Sequence, residues 1–531
     1  MPELHGRSQE RNAQQDGHDI TSYEPTGDDP QARQVDFERW DGLSSMSLDQ
    51  QVSIAESSSS LLWPDSEDLF QSLTSNDGDP WDNTMSGQSA VPFLDVAQAQ
   101  ALPGPSEDAD ITDDGQRAVQ TTNGLLTNTN HTLRMTSQTF YGLSMHWAQY
   151  CGMYDIGQVQ EPRIPQSDEP TEAKALAWKS WVARETQIRV LLGLCVVDGV
   201  VSQFSGNVVN TCAATKRLPL ASKEEAFSAE HADAWMHVMT RQNNGTHAPD
   251  HSSIQELCRD VTSNPPSSTR LEQVSGLLNI TMLLEAIAAS ATVSGKAQKS
   301  RGDTQPERDV SRALNTLRHL LLHSTSLTAA ERTVGLIRWH AICMDLIVNT
   351  ADGARKMCFH YSIPQHIFGG QQRQEPKRAN PEAWASGRPA RTCLLHALEI
   401  HRLAAEVPLG MIHNTCLPGA LFTAATTFAS FALPGLTKIS TPPLIDWRVV
   451  LYHQELDADL TSTFGEARSD QTEDTTRFLR NSGSVALDRW VARNLLYELS
   501  SIRNLLHSVS QSWGVTEEME QVVLSWEGHC V

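Results

Sequence analysis

The sequence predicts an all-α, multi-helical domain preceded by a long acidic N-terminal segment without a fold of its own. Three observations carry this expectation. From about Leu125 onward, apolar residues recur three and four apart, the period of a helix with one buried face. Few stretches alternate apolar and polar residues as a half-buried strand would. The charge is also uneven: residues 1–120 hold about 24 Asp and Glu against about 5 Arg and no Lys, so they carry roughly 19 of the 23 net negative charges of the chain.

The length of 531 residues allows two or three domains, and 39% hydrophobic residues is a little low for a fully globular chain. Both fit one large domain diluted by a polar segment. Residues 1–123, rich in Ser, Gln, Asp, Gly and Pro, bury too little apolar surface to offset chain entropy and are expected to be disordered. Residues 124–531 form the helical domain.

Within the acidic segment one island differs. In LLWPDSEDLFQSL, residues 61–73, the side chains Leu62, Trp63, Leu69, Phe70 and Leu73 alternate with Asp65, Glu67 and Asp68. Carboxylates interleaved with aromatic groups keep those groups solvated and available to a partner's groove. The run Pro64, Asp65, Ser66 suits a helix start. The island therefore reads either as an element that folds on a partner or as an apolar remnant in a solvating segment.

The helical domain is expected to place helices near 133–153, 172–205, 224–239, 270–290, 308–323, 327–349, 390–407, 419–433, 485–513 and 516–526. The segment Gly419 to Leu433 is small and apolar around most of its circumference, which predicts central burial. Loops are expected near 158–170, 207–222, 294–305, 369–389 and 465–477, each rich in Pro, Gly or charge. No helix repeats another at a fixed period.

The nine cysteines stand singly, with no CxxC unit, as small core hydrophobes of a reducing compartment do. The first residues, MPELHGRSQERNAQQ, lack an apolar h-region and no window approaches 18 apolar residues, so neither secretion nor membrane spanning is expected. The glycosylation-type Asn130, Asn244 and Asn279 and the RGD at Arg301 to Asp303 carry little meaning in that setting.

The most informative stretch is AWKSWVARETQIRVLLGLCVVDG, residues 177–199. Leu176, Trp178, Trp181, Glu185, Ile188, Arg189, Leu192 and Val196 fall at helical spacing, which sets the tryptophans and the Glu185 and Arg189 pair on neighbouring lines of one helix. An acid and a base four apart on a helix form a structural pair unless a second carboxylate or a His joins them in a cleft. Asp198, ending the apolar run, suits capping or an interhelical hydrogen bond.

Further along come RLPLASKEEAF and AEHADAW, so that Trp178, Trp181, Glu185, Arg189, Asp198, Leu218, Pro219, Phe227, Ala232 and Trp235 stand in a fixed order. This pattern closely resembles the fungal-specific transcription factor domain, also called the middle homology region. A second block, GRPARTCLLHALEIHRLAAEVPLGMIHNTCLPGALFTAATTFASFALPGL followed by PPLIDWRVVL, is similar to the C-terminal portion of that domain in the branch carrying paired two-Cys, two-His zinc fingers. The island at 61–73 also resembles a segment of that branch. The resemblance implies a nuclear, non-enzymatic regulator of RNA polymerase II transcription with an all-helical regulatory domain. It further implies co-regulators as partners of the acidic segment, self-association as an oligomer, and DNA contacted through the finger module.

That module is missing from the chain. A finger needs Cys, two to four residues, Cys, about twelve residues, then two His, because zinc draws four ligands into a tetrahedron. No Cys here has a Cys partner at that distance, so no cofactor is expected in this chain, and zinc is expected only if a finger module exists upstream. An acidic segment also repels phosphate.

The remaining histidine spacings are weak. His319 and His323 lie four apart in RHLLLH without the Glu of a metalloprotease helix and read as a helix surface. His340 with Cys343, and His396 with His401, lack further ligands and read as satisfied helix residues. GKAQKSR at 295–301 and PKR at 376–378 read as solvated loops. No GxSxG, GxGxxG after a strand, or phosphate loop occurs. The alternative function is a helical scaffold or small-molecule-binding protein that never contacts DNA, which would need a cleft with convergent polar groups.

Overall fold

The computed structural model describes residues 145, 148–158, 162–205, 217–243, 253–263, 271, 274–298, 305–367, 381–408, 414–452, 470–480 and 488–530. Two units divide the chain, Met1–Gly104 and Pro105–Val531, and every described residue lies in the second. The island at 61–73 and the expected boundary near 123 lie outside the described residues.

The described chain is all-α apart from one small ribbon. After a 3-10 turn at Met153–Gln158 the helices are α1 (Thr171–Ser205), α2 (Glu224–Phe227), α3 (Ala232–Asn243), α4 (Ile254–Thr262), α5 (Leu277–Gln298), α6 (Gln305–His323), α7 (Ala329–Ile347) and α8 (Thr350–His360). There follow α9 (Pro381–Ser386), α10 (Arg388–Ala404), α11 (Leu417–Ala432), α12 (Trp447–Leu451), α13 (Asp470–Arg480), α14 (Leu495–Val509) and α15 (Val515–His529). Strands β1 (Lys438–Thr441) and β2 (Val491–Asn494) pair antiparallel, Lys438 opposite Asn494 and Thr441 opposite Val491.

Local chemistry starts several of these helices. Ser253 with Glu256 and Thr328 with Glu331 are capping boxes for α4 and α7: each hydroxyl accepts the N–H three residues on, and each carboxylate accepts the cap N–H in return. The side chain of Asn349 accepts from the Asp352 N–H to cap α8, and that of Asn494 accepts from the Leu496 N–H to cap α14.

Helix α11 is the hub. Every residue from Leu417 to Ala432 except Ser430 is buried, and α11 packs against α14, α10, α7, α15 and α8. Ala, Thr and Gly around its circumference let these neighbours approach from all sides, as the sequence predicts for the 419–433 segment. Gly335 of α7 serves a similar end: a Cβ there would collide with the Leu321 side chain of α6. A second, smaller core lies at the N-terminal half of α1, where Trp181, Ala226, Trp235, Met236 and Met239 meet.

Several boundaries depart from the sequence reading, each for a local reason. The helix expected at 224–239 is two, because the chain breaks at 228–231 and the His231 ring accepts the Ala234 N–H at the start of α3. The one expected from 270 starts at Leu277, after Gly276 takes a φ of +80°. The loop expected at 294–305 is shorter, since α5 runs on to Gln298. The loop expected at 369–389 contains α9 and the start of α10. There Pro381 and Pro389 sit in first turns, where proline is tolerated.

The loop expected at 465–477 is overturned by α13. Its polar residues bind rather than solvate: Arg489 forks onto Asp474 at 2.6 and 2.8 Å, while Phe478 and Leu479 are buried. The helix expected over 485–513 begins only at Leu495, because 491–494 is held by β1. Helices α4, α8 and α12 were not expected. Leu176, placed on the apolar face of α1, is instead 71% exposed.

Candidate functional site

Most of the residues singled out between 178 and 235, Asp198 excepted, line a clasp over the chain segment 218–227. Trp181 of α1 and Trp235 of α3 are both buried with ring centroids 5.6 Å apart, and Trp178 packs beside them. One turn on, Glu185 is 3% exposed and accepts from Arg189 Nε at 2.9 Å, the Ser222 N–H at 2.8 Å and the Ser222 hydroxyl at 2.9 Å. Arg189 also donates to Glu224 at 2.7 Å and to the Ser222 carbonyl at 2.9 Å. Its guanidinium lies 4.0 Å from the centre of the Phe227 ring.

The Leu218 and Pro219 positions anchor the other end. Leu218 is fully buried and its carbonyl accepts the Ile254 N–H at 2.9 Å, while Pro219 bridges to Ser253. Between the two ends Asn279 of α5, 2% exposed, accepts from the Ala221 N–H and donates to the Ala221 carbonyl, both at 2.9 Å. Asn279 is thus a buried brace rather than a glycan acceptor, and only its neighbours in space, not its sequon, reveal that role.

Burial pushes the Glu185 carboxyl up, against the opposing pull of Arg189 and Ser222. Three of the roughly four acceptor positions of this buried carboxylate are taken by Arg189 and Ser222, so the pair ties α1 to the 222–224 segment. Asp198 needs a correction. It does not end its helix: α1 continues seven residues beyond it, to Ser205, and Asp198 is 3% exposed. It lies beside Tyr154, whose hydroxyl is pushed up by burial first and by Cys195 and Asp198 after it.

The polar centre of the domain lies next to Asp198 and was missed in the sequence. Arg338 of α7 donates to both oxygens of Glu285 on α5, at 2.6 and 2.8 Å, with side-chain exposures of 3% and 5%. It also donates to Gln203 of α1 at 2.8 Å, and Gln203 donates to Thr423 of α11 at 3.1 Å. Thr350 stands 3.4 Å from Thr423 and donates to Asp345. The network joins five helices. Gly199 is the residue that permits it, because a Cβ there would overlap the Glu285 carboxylate. Glycine directly after Asp198 was the available signal.

Two histidine arrangements complete the interior. His340 and His396 face each other at 2.8 Å between Nδ1 atoms, one donating and one accepting, among the rings of Trp339 and Trp447. Burial, with His396 beside it, holds His340 well below the usual imidazole range. Cys343 is also buried, and its thiol is pushed far up. His401 is spent elsewhere: Nδ1 lies 2.5 Å from Glu498 and Nε2 2.7 Å from the Ser501 hydroxyl. Burial would raise the Glu498 carboxyl, but His401 and Arg493 outweigh it and hold it low.

Serine, histidine and carboxylate in that order match the pieces of a nucleophilic triad. Ser501 lies inside α14, however, where the backbone N–H groups that would stabilise an oxyanion are already bonded along the helix. The set reads as a clasp between α10 and α14. His319 and His323 lie on the exposed face of α6.

Among the described residues eight cysteines are free and dispersed, five of them buried, and no three His, Cys, Asp or Glu side chains converge. Among the described residues no helix is long and apolar enough to cross a membrane. No protein-family pattern, characterised protein or solved structure matches this chain.

Proposed function

We propose that the chain is the regulatory and effector portion of a fungal transcriptional regulator, acting in the nucleus on RNA polymerase II transcription. One observation supports this reading above others. The positions through which 178–235 resembles the middle homology region, from Trp178 and Trp181 through Glu185, Arg189, Leu218, Pro219 and Phe227 to Trp235, belong to one clasp. A pattern of that kind is the signature of a packing unit, and packing units rather than reactive groups are what a regulatory scaffold requires.

In this reading the acidic segment recruits co-regulators through Leu62, Trp63, Leu69, Phe70 and Leu73. Their apolar faces enter a partner's groove while Asp65, Glu67 and Asp68 meet its basic rim. DNA is reached through a zinc-finger module not supplied by these residues, and the helical domain, alone or self-associated, carries the regulatory input.

The test is a fusion of the full chain to a heterologous DNA-binding domain upstream of a reporter gene. The expected result is transcription well above the DNA-binding domain alone, reduced severalfold by Trp63→Ala with Phe70→Ala. A reporter that stays at background with the intact chain expressed would overturn the proposal.

A further inference from the structure

We infer that His319 and His323 form a surface chelate for a divalent transition-metal ion of the Cu(II), Ni(II) and Zn(II) class. The two residues occupy the last two turns of α6, four apart, so both imidazoles rise from one face of the helix. Both residues are exposed, and their ring centroids stand 4.2 Å apart with the planes tilted by 40°. An ion bound to two imidazole nitrogens at about 2.0–2.1 Å requires those nitrogens within roughly 4 Å of each other. Rings already side by side at this separation meet that span by rotation about their side-chain bonds alone.

Availability of the nitrogens is the second observation. His340 and His396 spend their Nδ1 atoms on each other, and His401 spends both ring nitrogens on Glu498 and Ser501. Among the described residues, the rings of His319 and His323 touch each other, with no hydrogen bond or ion pair recorded for either. No third His, Cys, Asp or Glu of the described residues joins them. Two imidazoles thus supply one edge of the coordination sphere and water the rest. Such an open nitrogen set favours Cu(II) most strongly of the class, following the general order of divalent affinities.

The clamp would brace a structural corner. Leu320 and Leu321 lie between the two histidines in sequence, and Leu321 is the side chain that fills the space left by Gly335 on α7. Binding an ion to the folded chain therefore clips the last two turns of α6 together beside that contact and raises stability by mass action.

The experiment titrates the tag-free full chain with Cu(II), and separately with Ni(II) and Zn(II), in a weakly coordinating buffer. Calorimetry and thermal unfolding are the readouts, and the double variant His319→Gln, His323→Gln and each single variant are the comparisons. Glutamine keeps an exposed helix intact, which circular dichroism verifies. The wild-type chain should bind one more Cu(II) than the double variant and show a larger rise in Tm on Cu(II) addition. Each single variant should lose about tenfold or more in the affinity of that site. Electron paramagnetic resonance of the wild-type complex should show coupling to two imidazole nitrogens. Equal stoichiometry and affinity in the wild-type chain and the double variant would overturn the inference.

Discussion

Replacing Arg338 by Met isolates the polar centre of the domain. The guanidinium donates twice to Glu285 and once to Gln203, and both charged side chains are almost completely removed from water. Burial pulls the guanidinium's pKa down, but Glu285 opposes it and holds it above its ordinary range. Methionine fills similar volume but leaves Glu285 buried and unpaired, which should cost about 3–5 kcal/mol. Adding Glu285→Leu removes the stranded charge. The double variant should then lie near wild type or above it, because a well-packed apolar pair often matches a buried ion pair.

The assay is urea unfolding followed by tryptophan fluorescence and far-UV circular dichroism, with all four members of the cycle compared at unchanged m-value. The singles should be strongly destabilised and non-additive. If Arg338→Met cost less than about 1 kcal/mol, the guanidinium would be acting as a solvated surface charge and the description of a buried hub would be wrong.

Two further outcomes follow from the same interior. Asp345 is half-buried and its carboxyl is pushed up to about 6, by burial first, against a hydrogen bond from Thr350 and the nearby Arg338. A raised carboxyl pKa binds its proton more tightly in the folded state. Its stabilising contribution is therefore complete below pH 3.8 and lost as pH rises through 6, a total of about 3 kcal/mol. Asp345→Asn keeps the oxygen that accepts from Thr350 and should remove this loss, so the wild-type minus variant difference in unfolding free energy should fall between pH 4 and 7. A flat difference would refute it. Separately, Arg189→Ala leaves Glu185 buried without its main partner and should lower stability by about 1–3 kcal/mol in the same denaturation assay.

The helical class, the burial of 419–433 and the placing of Trp178, Trp181, Glu185 and Arg189 on one helix were legible in the sequence. Apolar period and i,i+4 pairing act within a few residues of the chain, so the order of side chains alone specifies them. The extents of α9 and α13 were not legible, because prolines and clustered charges read as solvent-facing until their partners are known. Arg489 makes Asp474 a docking group, and first-turn positions make Pro381 and Pro389 helix starters.

Long-range partners lie furthest from the sequence. Glu285 and Arg338 are 53 residues apart, His340 and His396 are 56 apart, and His401 is 97 from Glu498. Nothing local marks these residues as pairs, since each sits in a helix whose turn is satisfied by its own backbone. By itself the sequence determined which faces of the helices must be buried. Tertiary packing decided which buried charge meets which, because a charge taken from water is tolerated only where another helix brings its counterion within hydrogen-bonding distance.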